Sequence, residues 1–569
     1  MRTIIKSQIN SGRIGFDCPN TPREKCAKPK RRMYKIAVHG TKIDRSDSPK
    51  RHALVYLCAM SKKVRVRFAP SPTGGLHLGG VRTVLYNYLF AKKHGGEFIV
   101  RIEDTDQSRY VPGAEEYIFD CLRWCGLEPD ESVQHGGAVG PYRQSERKAL
   151  YKKYALQLIE QGQAYYAFDT PEELEQMREK NKTPDNPSPQ YDHHVRTKMR
   201  NSLTLPEAEV KKLLDLNTPH VIRINMPLGK TLSFQDMIRG EVSFDTSTVD
   251  DKVLLKADGM PTYHLAVVVD DNLMQITHAF RGEEWLPSAP VHLLLWQYLF
   301  GWENMPQWAH FPLILGPSGK LSKRDGAKYG FPVFAMNWKD PKSAELTEGF
   351  KEKGFLPEAF INLLALLGWN EGTEKELYTK EELIAAFSME RVHSSGAKFD
   401  YEKARWFNHE WIKKSTASRL LPLVRQQFEK TGLVIADTDR LEKVIDLVKE
   451  RCTLLSDFVE QGRFFFDRPT QIDTASILSK WSSEKETFFS ALIHYYEQTH
   501  QWTAMELEKI LKDLAATQSL KVGELMLPLR IMLVGGKFGP GVFDIAALLG
   551  KDETIARLIQ AKELILKTN

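Results

Sequence analysis

The sequence predicts a doubly wound α/β domain that is interrupted by an α+β insertion and followed by an all-α C-terminal half. Between residues 64 and 106 a strand, a glycine-rich loop, a helix and a second strand follow one another, which is the order of a βαβ unit. From about residue 400 onwards, apolar residues recur at helical spacing. A chain of 569 residues is too long for one hydrophobic core, so we expect roughly three to five domains.

The βαβ unit begins at residues 64–69, where apolar and basic side chains alternate with the period of two that is typical of a strand. Apolar residues between Val81 and Leu89 then lie at helical spacing, and Gly95-Gly96 ends that helix. A second apolar run, residues 98–102, leads into an acidic segment that starts at Glu103. Such a sheet has its ligand crevice at the strand ends, where glycines at the helix start let a phosphate reach backbone N–H groups.

Two separate motifs carry a resemblance to one family. The first is APSPTG at residues 69–74 followed by HLGG at residues 77–80, and it resembles the HIGH signature of class I aminoacyl-tRNA synthetases in its glutamyl form. The second is KLSKR at residues 320–324, which resembles the KMSKS loop of that class. A glycine loop alone is common, so the two motifs in this order make the resemblance specific. It extends from about residue 60 to the C-terminus and implies a Rossmann-like catalytic domain.

The resemblance implies an ATP-dependent ligase of protein biosynthesis that attaches L-glutamate to tRNA-Glu through a glutamyl-adenylate, releasing AMP and pyrophosphate. This chemistry needs positioning and charge stabilisation rather than a protein nucleophile. A glutaminyl enzyme is the nearest alternative, and APSPTG and the helical C-terminal half argue against it. A glutamyl transferase that modifies a tRNA base should lack the long helical half. A non-catalytic tRNA-binding relative has no use for phosphate-handling lysines.

His77, Lys320 and Lys323 are the expected catalytic residues. The imidazole can donate a hydrogen bond to phosphate oxygens, and the lysines are mobile ammonium donors on a loop with a glycine- and proline-rich hinge at residues 316–319. The alternatives are a helix cap for His77 and a solvated basic loop for the lysines. The resemblance implies that these three residues form the ATP site together with Pro70, Ser71, Gly79, Gly80, Glu284, Leu313 and Ile314.

The resemblance also implies a glutamate site. In the family, residues matching Arg67 and Tyr263 meet the side-chain carboxylate, Arg281 meets the α-carboxylate, and Glu103 with Ser71 meets the amino group. A bidentate Arg–carboxylate pair in a dry pocket rejects glutamine, because the amide would leave guanidinium charge unpaired. Surface salt bridges are the alternative role for the two arginines.

One position departs from the family pattern. The pattern has an asparagine four residues after the tyrosine, and this chain has Val267 there. A polar contact to the amino acid is therefore missing or supplied by another residue.

The second half of the nucleotide fold is expected after an insertion. Residues 262–271 are rich in β-branched side chains and end in Asp270-Asp271, which predicts a buried parallel strand, and residues 276–280 predict another. Both strands should end at the crevice.

The family places an acceptor-stem-binding insertion before these segments, and some relatives hold a zinc in it. The matching positions here are Ala167, Asp169 and Val195. Because a structural zinc needs about four convergent ligands, we expect no protein-bound zinc, and we expect His193 and His194 to be solvated. Mg²⁺ should arrive with ATP, held by phosphates and water.

The C-terminal half resembles the anticodon-binding helical cage of bacterial glutamyl enzymes. One apolar stripe predicts a single amphipathic helix that runs through Leu441, Val444, Ile445, Val448, Cys452 and Leu455. In the family, an arginine matching Arg451 reads the last anticodon base, which is ordinary recognition of a splayed-out base. An exposed arginine on the helix surface is an equally weighted alternative.

The expected domain limits follow from these segments. They are a disordered basic extension at 1–59, the catalytic domain at 60–144 and 263–319, the insertion at 145–262, the lysine loop and stem-contact helices at 320–400, and anticodon-binding helical domains at 401–475 and 476–569.

Charge is concentrated at the N-terminus. The chain has a formal net charge of +6, but residues 1–60 hold 14 Lys/Arg and 4 Asp/Glu, so the remainder carries −4. Net charge is therefore no argument for nucleic-acid binding. A transit peptide and an RNA-binding arm are open readings of residues 1–59, although a disordered tail, or a start codon assigned upstream of Met60, is favoured.

Composition suggests a cytoplasmic, monomeric protein. No apolar run is long enough to span a bilayer, and no coiled-coil pattern indicates more than a monomer. The six cysteines lack zinc-like or disulfide spacing, and Cys121 and Cys125 are expected to be core thiols of a reducing cytosol.

Overall fold

The computed structural model of the chain describes residues 63–568, so the expectations for residues 1–59 lie outside the described residues. The strands of this part are β1 Arg65–Phe68, β2 Glu97–Val100, β3 Ala164–Ala167, β4 Val221–Ile224, β5 Thr231–Asp236, β6 Gly240–Asp245, β7 Val253–Leu255, β8 His278–Gly282, β9 Gln307–Phe311, β10 Ile314–Gly316, β11 Gly319–Lys320, β12 Trp338–Lys339, β13 Leu346–Thr347 and β14 Ala397–Lys398. Its α-helices are Leu78–Lys93, Ala114–Trp124, Lys148–Glu160, Pro171–Asn181, His193–Arg196, Glu207–Asp215, Tyr263–Leu273, Ala289–Leu299, Lys323–Tyr329, Phe350–Lys353, Pro357–Leu366, Lys380–Ala386, Tyr401–Lys414, Ala417–Lys430, Thr438–Val448, Asp457–Gly462, Ala475–Leu478, Ser483–Gln498, Ala504–Thr517, Val522–Val534, Val542–Leu549 and Lys551–Thr568.

A six-stranded sheet in the order β2-β1-β8-β9-β5-β6 forms the centre of the catalytic part. β2, β1, β8 and β9 pair in parallel, and β5 and β6 form an antiparallel hairpin at the edge. The hairpin joins β9 at the pair Asp236 and Trp308. The predicted insertion at residues 145–262 therefore contributes two strands to the catalytic sheet.

Both faces of the sheet are covered, as the doubly wound prediction requires. Phe98 and Val100 of β2 belong to one hydrophobic core, whereas Ile99, which points to the opposite face, belongs to a second one. Strands buried on two faces read as continuous apolar runs, which is typical of parallel sheets. Cys121 and Cys125 are buried free thiols in the first core, so their predicted core position is confirmed.

The predicted strand at residues 262–271 is wrong, because this segment forms the helix Tyr263–Leu273. Every side chain from Leu265 to Asp271 is buried. A helix that is buried on all sides shows an unbroken apolar run instead of a 3.6-residue period, so periodicity does not separate it from a buried strand. The strand predicted at residues 276–280 is confirmed as β8, which begins at His278.

The single long helix predicted through Leu455 is also wrong. The helix Thr438–Val448 ends seven residues earlier, and a 3-10 turn, Lys449–Arg451, follows it. Cys452 and Leu455 lie beyond that turn and remain buried in the same core as Leu441. The helical spacing of apolar residues extends beyond the end of the helix because the following residues pack on the same core.

Candidate active site

A cavity of about 680 Å³ opens beside the carboxyl ends of β1 and β8. It brings together most of the predicted site residues, namely Arg67, Pro70, Ser71, His77, Gly79, Gly80, Glu103, Tyr263, Arg281, Glu284, Leu313, Ile314 and Lys320. Lys323 is not part of the lining, although its charge acts on the His77 imidazole. Arg451 lies in the helical half and is exposed. Residues from stretches far apart in sequence thus converge on one cavity.

His77 caps the helix Leu78–Lys93, as its alternative role predicts. Its Nδ1 accepts a hydrogen bond from the backbone N–H of Gly79 at 3.4 Å, so the proton of the neutral ring lies on Nε2. Nε2 is buried and has no partner within residues 63–568. Burial and then the charges of Lys320 and Lys323 lower the pKa of His77 to about 4. The ring is therefore neutral at pH 7, with one N–H available to a ligand oxygen.

The Phe334 ring contacts one residue of each signature motif. Its ring meets His77 edge-on, with ring centroids 6.2 Å apart, and Lys323 Nζ lies 5.0 Å from the Phe334 centroid. Lys320 Nζ lies 3.3 Å from Glu284 Oε1. Both lysines are exposed.

The lysine loop is fixed by one carboxylate. Asp325 accepts hydrogen bonds from the Ser318 and Ser322 hydroxyls, each at 2.7 Å. The hydrogen bond from the Ser318 hydroxyl, followed in size by the one from the Ser322 hydroxyl, lowers the pKa of Asp325. Asp325 therefore ties the hinge at residues 316–319 to the start of the helix Lys323–Tyr329.

Arg67 forms a buried bidentate ion pair with Asp271. Nε and Nη2 each lie 3.1 Å from a carboxylate oxygen, and Nη1 donates to the Phe280 carbonyl at 3.1 Å. Asp271 also forms an ion pair with Arg101, whose Nη1 lies 3.0 Å from Asp271 Oδ1. Burial opposes ionisation of Asp271, but Arg67 and Arg101 outweigh it and hold its pKa below the usual range. Arg67 thus lines the cavity with its charge already countered.

Glu103 is held by the same network. Its Oε1 lies 3.1 Å from Arg101 Nη2 and 3.5 Å from Gln144 Nε2. Burial raises the pKa of Glu103, and Arg101 and Arg67 partly offset that effect. The carboxylate is therefore fixed at the cavity wall by Arg101, which is itself wholly buried.

Arg281, near the end of β8, has fewer partners. Its guanidinium carbon lies 4.6 Å from the ring centroid of Trp308, and Nη1 lies 2.9 Å from His292 Nδ1. Nε and Nη2 are buried without a hydrogen-bond partner in the described part of the chain. The side chain of Arg281 also hydrogen-bonds with Tyr263, and no carboxylate of residues 63–568 forms an ion pair with this guanidinium at the cavity wall.

Tyr263 is the first residue of the helix that replaces the predicted strand. Its ring packs on Trp285 with centroids 4.5 Å apart, and burial raises the pKa of its phenol, which keeps the group a hydrogen-bond donor. Val267, one turn further, also lines the cavity and is buried. The cavity wall is thus apolar where the family pattern has an amide.

The positions that match zinc ligands in some relatives are occupied differently here. Ala167 and Val195 belong to a small apolar cluster. Asp169 accepts hydrogen bonds from the Tyr191 hydroxyl and the Arg200 backbone N–H, both at 2.8 Å. Residues 63–568 contain no group of three or more His, Cys, Asp or Glu side chains arranged to hold a metal ion.

Arg451 is close enough to Arg530 for their charges to interact. Burial, and then the charge of Arg451, lowers the pKa of Arg530. Arg530 is fixed by the carbonyls of Phe538, Gly539 and Pro540 at 3.1, 3.0 and 2.6 Å. The exposed Arg451 therefore lies in a locally basic part of the helical half.

Sequence reasoning missed the residues that hold the two arginines. Asp271 was visible as an acid after an apolar run, but its pairing with Arg67 depends on the helix that was predicted as a strand. His292 lies within the apolar helix Ala289–Leu299, and Trp308 lies in β9. The isolated histidine in an apolar helix was the only available signal for His292.

Two family profiles match the chain. One, described as "tRNA synthetases class I (E and Q), catalytic domain", matches residues 63–406. The other, described as "Anticodon binding domain", matches residues 415–562.

The similarity to known proteins covers most of the chain. A glutamate–tRNA ligase of Amoebophilus asiaticus is 51% identical over 510 residues, covering 89% of this chain and 99% of the relative. One from Cytophaga hutchinsonii is 49% identical over 505 residues, covering 88% and 97%. The crystal structure of a glutamate tRNA ligase from Elizabethkingia meningosepticum in complex with its amino acid has a TM-score of 0.84 and 47% identity, covering 89% of this chain and all of that one.

Proposed function

The chain belongs to the class I tRNA synthetases of the glutamate and glutamine type, and we propose that it attaches L-glutamate to tRNA-Glu at the expense of ATP. The observation that carries this proposal is the convergence of both signature motifs with Arg67, Glu103 and Arg281 on one cavity. The relatives reported above are named glutamate–tRNA ligases, and the similarity covers nearly their whole length. The glutaminyl alternative is therefore not favoured.

The first step forms the glutamyl-adenylate. An oxygen of the α-carboxylate attacks the α-phosphorus of ATP, the bond from that phosphorus to the bridging oxygen breaks, and pyrophosphate leaves. We assign His77, Lys320 and Lys323 to the phosphate oxygens, because one neutral N–H and two ammonium groups stabilise the developing charge. Gly79 leaves room for the nucleotide, since a Cβ placed there would meet no heavy atom within 4 Å. The remaining proposed ATP contacts are Pro70, Ser71, Gly80, Glu284, Leu313 and Ile314.

Glutamate is proposed to bind between the two arginines. Arg67 and Tyr263 take the side-chain carboxylate, Arg281 takes the α-carboxylate, and Glu103 with Ser71 takes the ammonium group. A guanidinium favours a carboxylate over an amide as a bidentate partner, although Arg67 already has Asp271 as a countercharge. Val267 supplies only apolar contact.

The second step transfers the glutamyl group. The 2′-hydroxyl of the terminal adenosine attacks the acyl carbon, an ester forms, the bond from that carbon to the phosphate oxygen breaks, and AMP leaves. We propose that residues 145–262 hold the acceptor stem, that 320–400 contact the stem, and that 401–475 and 476–569 bind the anticodon, where Arg451 reads the last base. Residues 60–144 and 263–319 form the catalytic domain in this assignment, with the hairpin of β5 and β6 from the insertion completing its sheet.

The remaining assignments concern ions, location and assembly. We propose that Mg²⁺ enters bound to ATP and that the insertion holds no zinc, which is supported by the apolar surroundings of Ala167 and Val195 and the engaged oxygens of Asp169. Within residues 63–568 the helices are all too short or too polar to cross a membrane. A cytoplasmic monomer remains our proposal.

A radioactive exchange assay tests the function. With purified tRNA-Glu present, the full chain should convert labelled pyrophosphate into ATP only when glutamate is added, and it should form AMP when charging proceeds. Exchange that is independent of glutamate, or that requires a different amino acid, would contradict the proposal.

A further inference from the structure

Three buried arginines line the cavity, and each is held in a different way. Arg67 is neutralised by the bidentate pair with Asp271. Arg82 donates to the backbone carbonyls of Leu367 and Pro312. Arg281 takes part in no ion pair within residues 63–568. Its Nη1 lies 2.9 Å from Nδ1 of a histidine, His292, and its side chain also hydrogen-bonds with Tyr263. The cation is thus held by groups that carry no negative charge.

The hydrogen-bond chain fixes the tautomer of His292. Nδ1 of this residue faces a guanidinium, which only donates, so Nδ1 must be the unprotonated acceptor and the proton must lie on Nε2. Nε2 lies 3.3 Å from Nδ1 of His264, which can accept that proton's hydrogen bond. Arg281, His292 and His264 therefore form one directed chain.

The surroundings of His292 keep it rigid and uncharged. It is 1% exposed, and its ring packs against Tyr263 and His264 with centroids 5.3 and 5.4 Å away. Burial and then the charge of Arg281 hold the pKa of His292 well below its ordinary value. Protonation would remove the acceptor and place two cations side by side.

We propose that His292 is a positioning residue that orients Arg281 without neutralising it, so that the full positive charge remains for a carboxylate of the amino-acid substrate. The inference rests on the proposed function. A carboxylate at position 292 would hold the guanidinium more strongly but would compete with the substrate for its charge. The Trp308 face supports the buried cation from a second side without cancelling it.

Two substitutions whose new side chains have the same shape but differ in charge test the role of charge at position 292. In His292→Asn the amide oxygen can replace Nδ1 as a neutral acceptor, and in His292→Asp a carboxylate stands in the same place. We expect the KM for glutamate in tRNA-Glu charging to be about tenfold higher in His292→Asp than in His292→Asn. The KM for ATP should differ by less than about twofold between them. A purely structural role would affect both variants alike.

A glutamate KM ratio below about fivefold between the two variants would overturn the inference. If the wild-type chain charges tRNA-Glu normally in that case, the proposed function stands and only the role of His292 fails. If the wild-type chain shows no glutamate-dependent charging, the proposed function fails first.

A matched control and a variant-free measurement complete the test. His278→Asn changes another histidine on the strand of Arg281, which is not part of the cavity lining, and should leave the glutamate KM unchanged. If neither position-292 variant folds, neutron diffraction of the wild-type chain at pH 7 decides the question. A deuteron on Nε2 and none on Nδ1 of His292 supports the inference, and a deuteron on Nδ1 overturns it.

Discussion

Two carboxylates in different parts of the molecule are each held by two arginines, and their surroundings differ. Asp271, beside the cavity, binds Arg67 and Arg101, and its side chain is 5% exposed. Glu553, in the helical half, binds Arg468 and Arg557, and its side chain is 29% exposed. Both have a lowered pKa, but burial opposes ionisation far more at Asp271, where it is the largest single influence.

The chain uses buried charge to build the cavity wall. Around the cavity, buried charges fix one another, so removal of one partner strands the others in a low dielectric. In the helical half, Arg557 is buried but Glu553 and Arg468 are partly exposed, so water and salt reach this ion pair and replace a lost partner at lower cost. The same pairing chemistry should therefore give large effects in one region and small effects in the other.

The largest effect is expected for Asp271→Ala. Loss of the carboxylate leaves Arg67 and Arg101 partly unpaired in the interior, so we expect a loss of about 3–5 kcal/mol of folding stability. Thermal unfolding followed by circular dichroism measures it as a fall in Tm. A Tm within 1 °C of wild type would mean that the buried network contributes no more than a surface pair.

A comparably large effect on rate is expected for Lys323→Ala. The exposed ammonium meets the core only at the ring of Phe334, so the variant should fold normally while glutamate-dependent ATP–pyrophosphate exchange falls by about 10²–10³-fold. Retained tRNA binding would show that the loss is chemical. Lys328→Ala on the same helix is the control, since Lys328 is also exposed and packs over Tyr329. Unchanged exchange in Lys323→Ala would remove the loop from the mechanism.

An intermediate effect is expected for Arg451→Ala. If this side chain reads an anticodon base, charging should lose about 1–3 kcal/mol of discrimination between tRNA-Glu and tRNA-Gln, with the KM for glutamate unchanged. Lys443→Ala, an exposed change on the preceding helix, is the control. Identical discrimination in both variants would place Arg451 among the ordinary solvated surface charges.

The smallest effect is expected for Glu553→Gln. The hydrogen bond from Arg468, with a further contribution from Arg557, lowers the pKa of Glu553 from 4.5 to about 2. A depressed carboxyl pKa stabilises the folded state above pH 4.5, and the contribution disappears as the pH falls towards 2. We therefore expect a loss of at most about 1 kcal/mol at pH 7, which shrinks below pH 4.5. A loss as large as that of Asp271→Ala would erase the contrast between the two regions.

The first βαβ unit could be predicted from the sequence, because a short strand, a glycine loop and a helix leave local patterns. The convergence of the two signature motifs was implied by the family resemblance. The helix Tyr263–Leu273 could not be predicted, since it is buried all round and its apolar run has no helical period. The edge hairpin of β5 and β6 could not be placed either, because its pairing with β9 joins residues far apart in sequence.

The candidate site, too, could be predicted only in part from the sequence. His77 and the lysines stand in contiguous motifs, so their residue types and spacing indicate phosphate chemistry. The partners that set the state of each arginine, Asp271 and His292, come from helices packed behind the cavity wall. Which side chain faces which arginine is decided by tertiary packing and leaves no local pattern.

The most direct test of the central claim is aminoacylation of purified tRNA-Glu and tRNA-Gln with labelled glutamate and with labelled glutamine. We expect the full chain to attach glutamate to tRNA-Glu and to leave glutamine uncharged on either tRNA, because the cavity presents fixed guanidinium groups to the amino acid. Efficient attachment of glutamine, or failure to attach glutamate, would contradict the account.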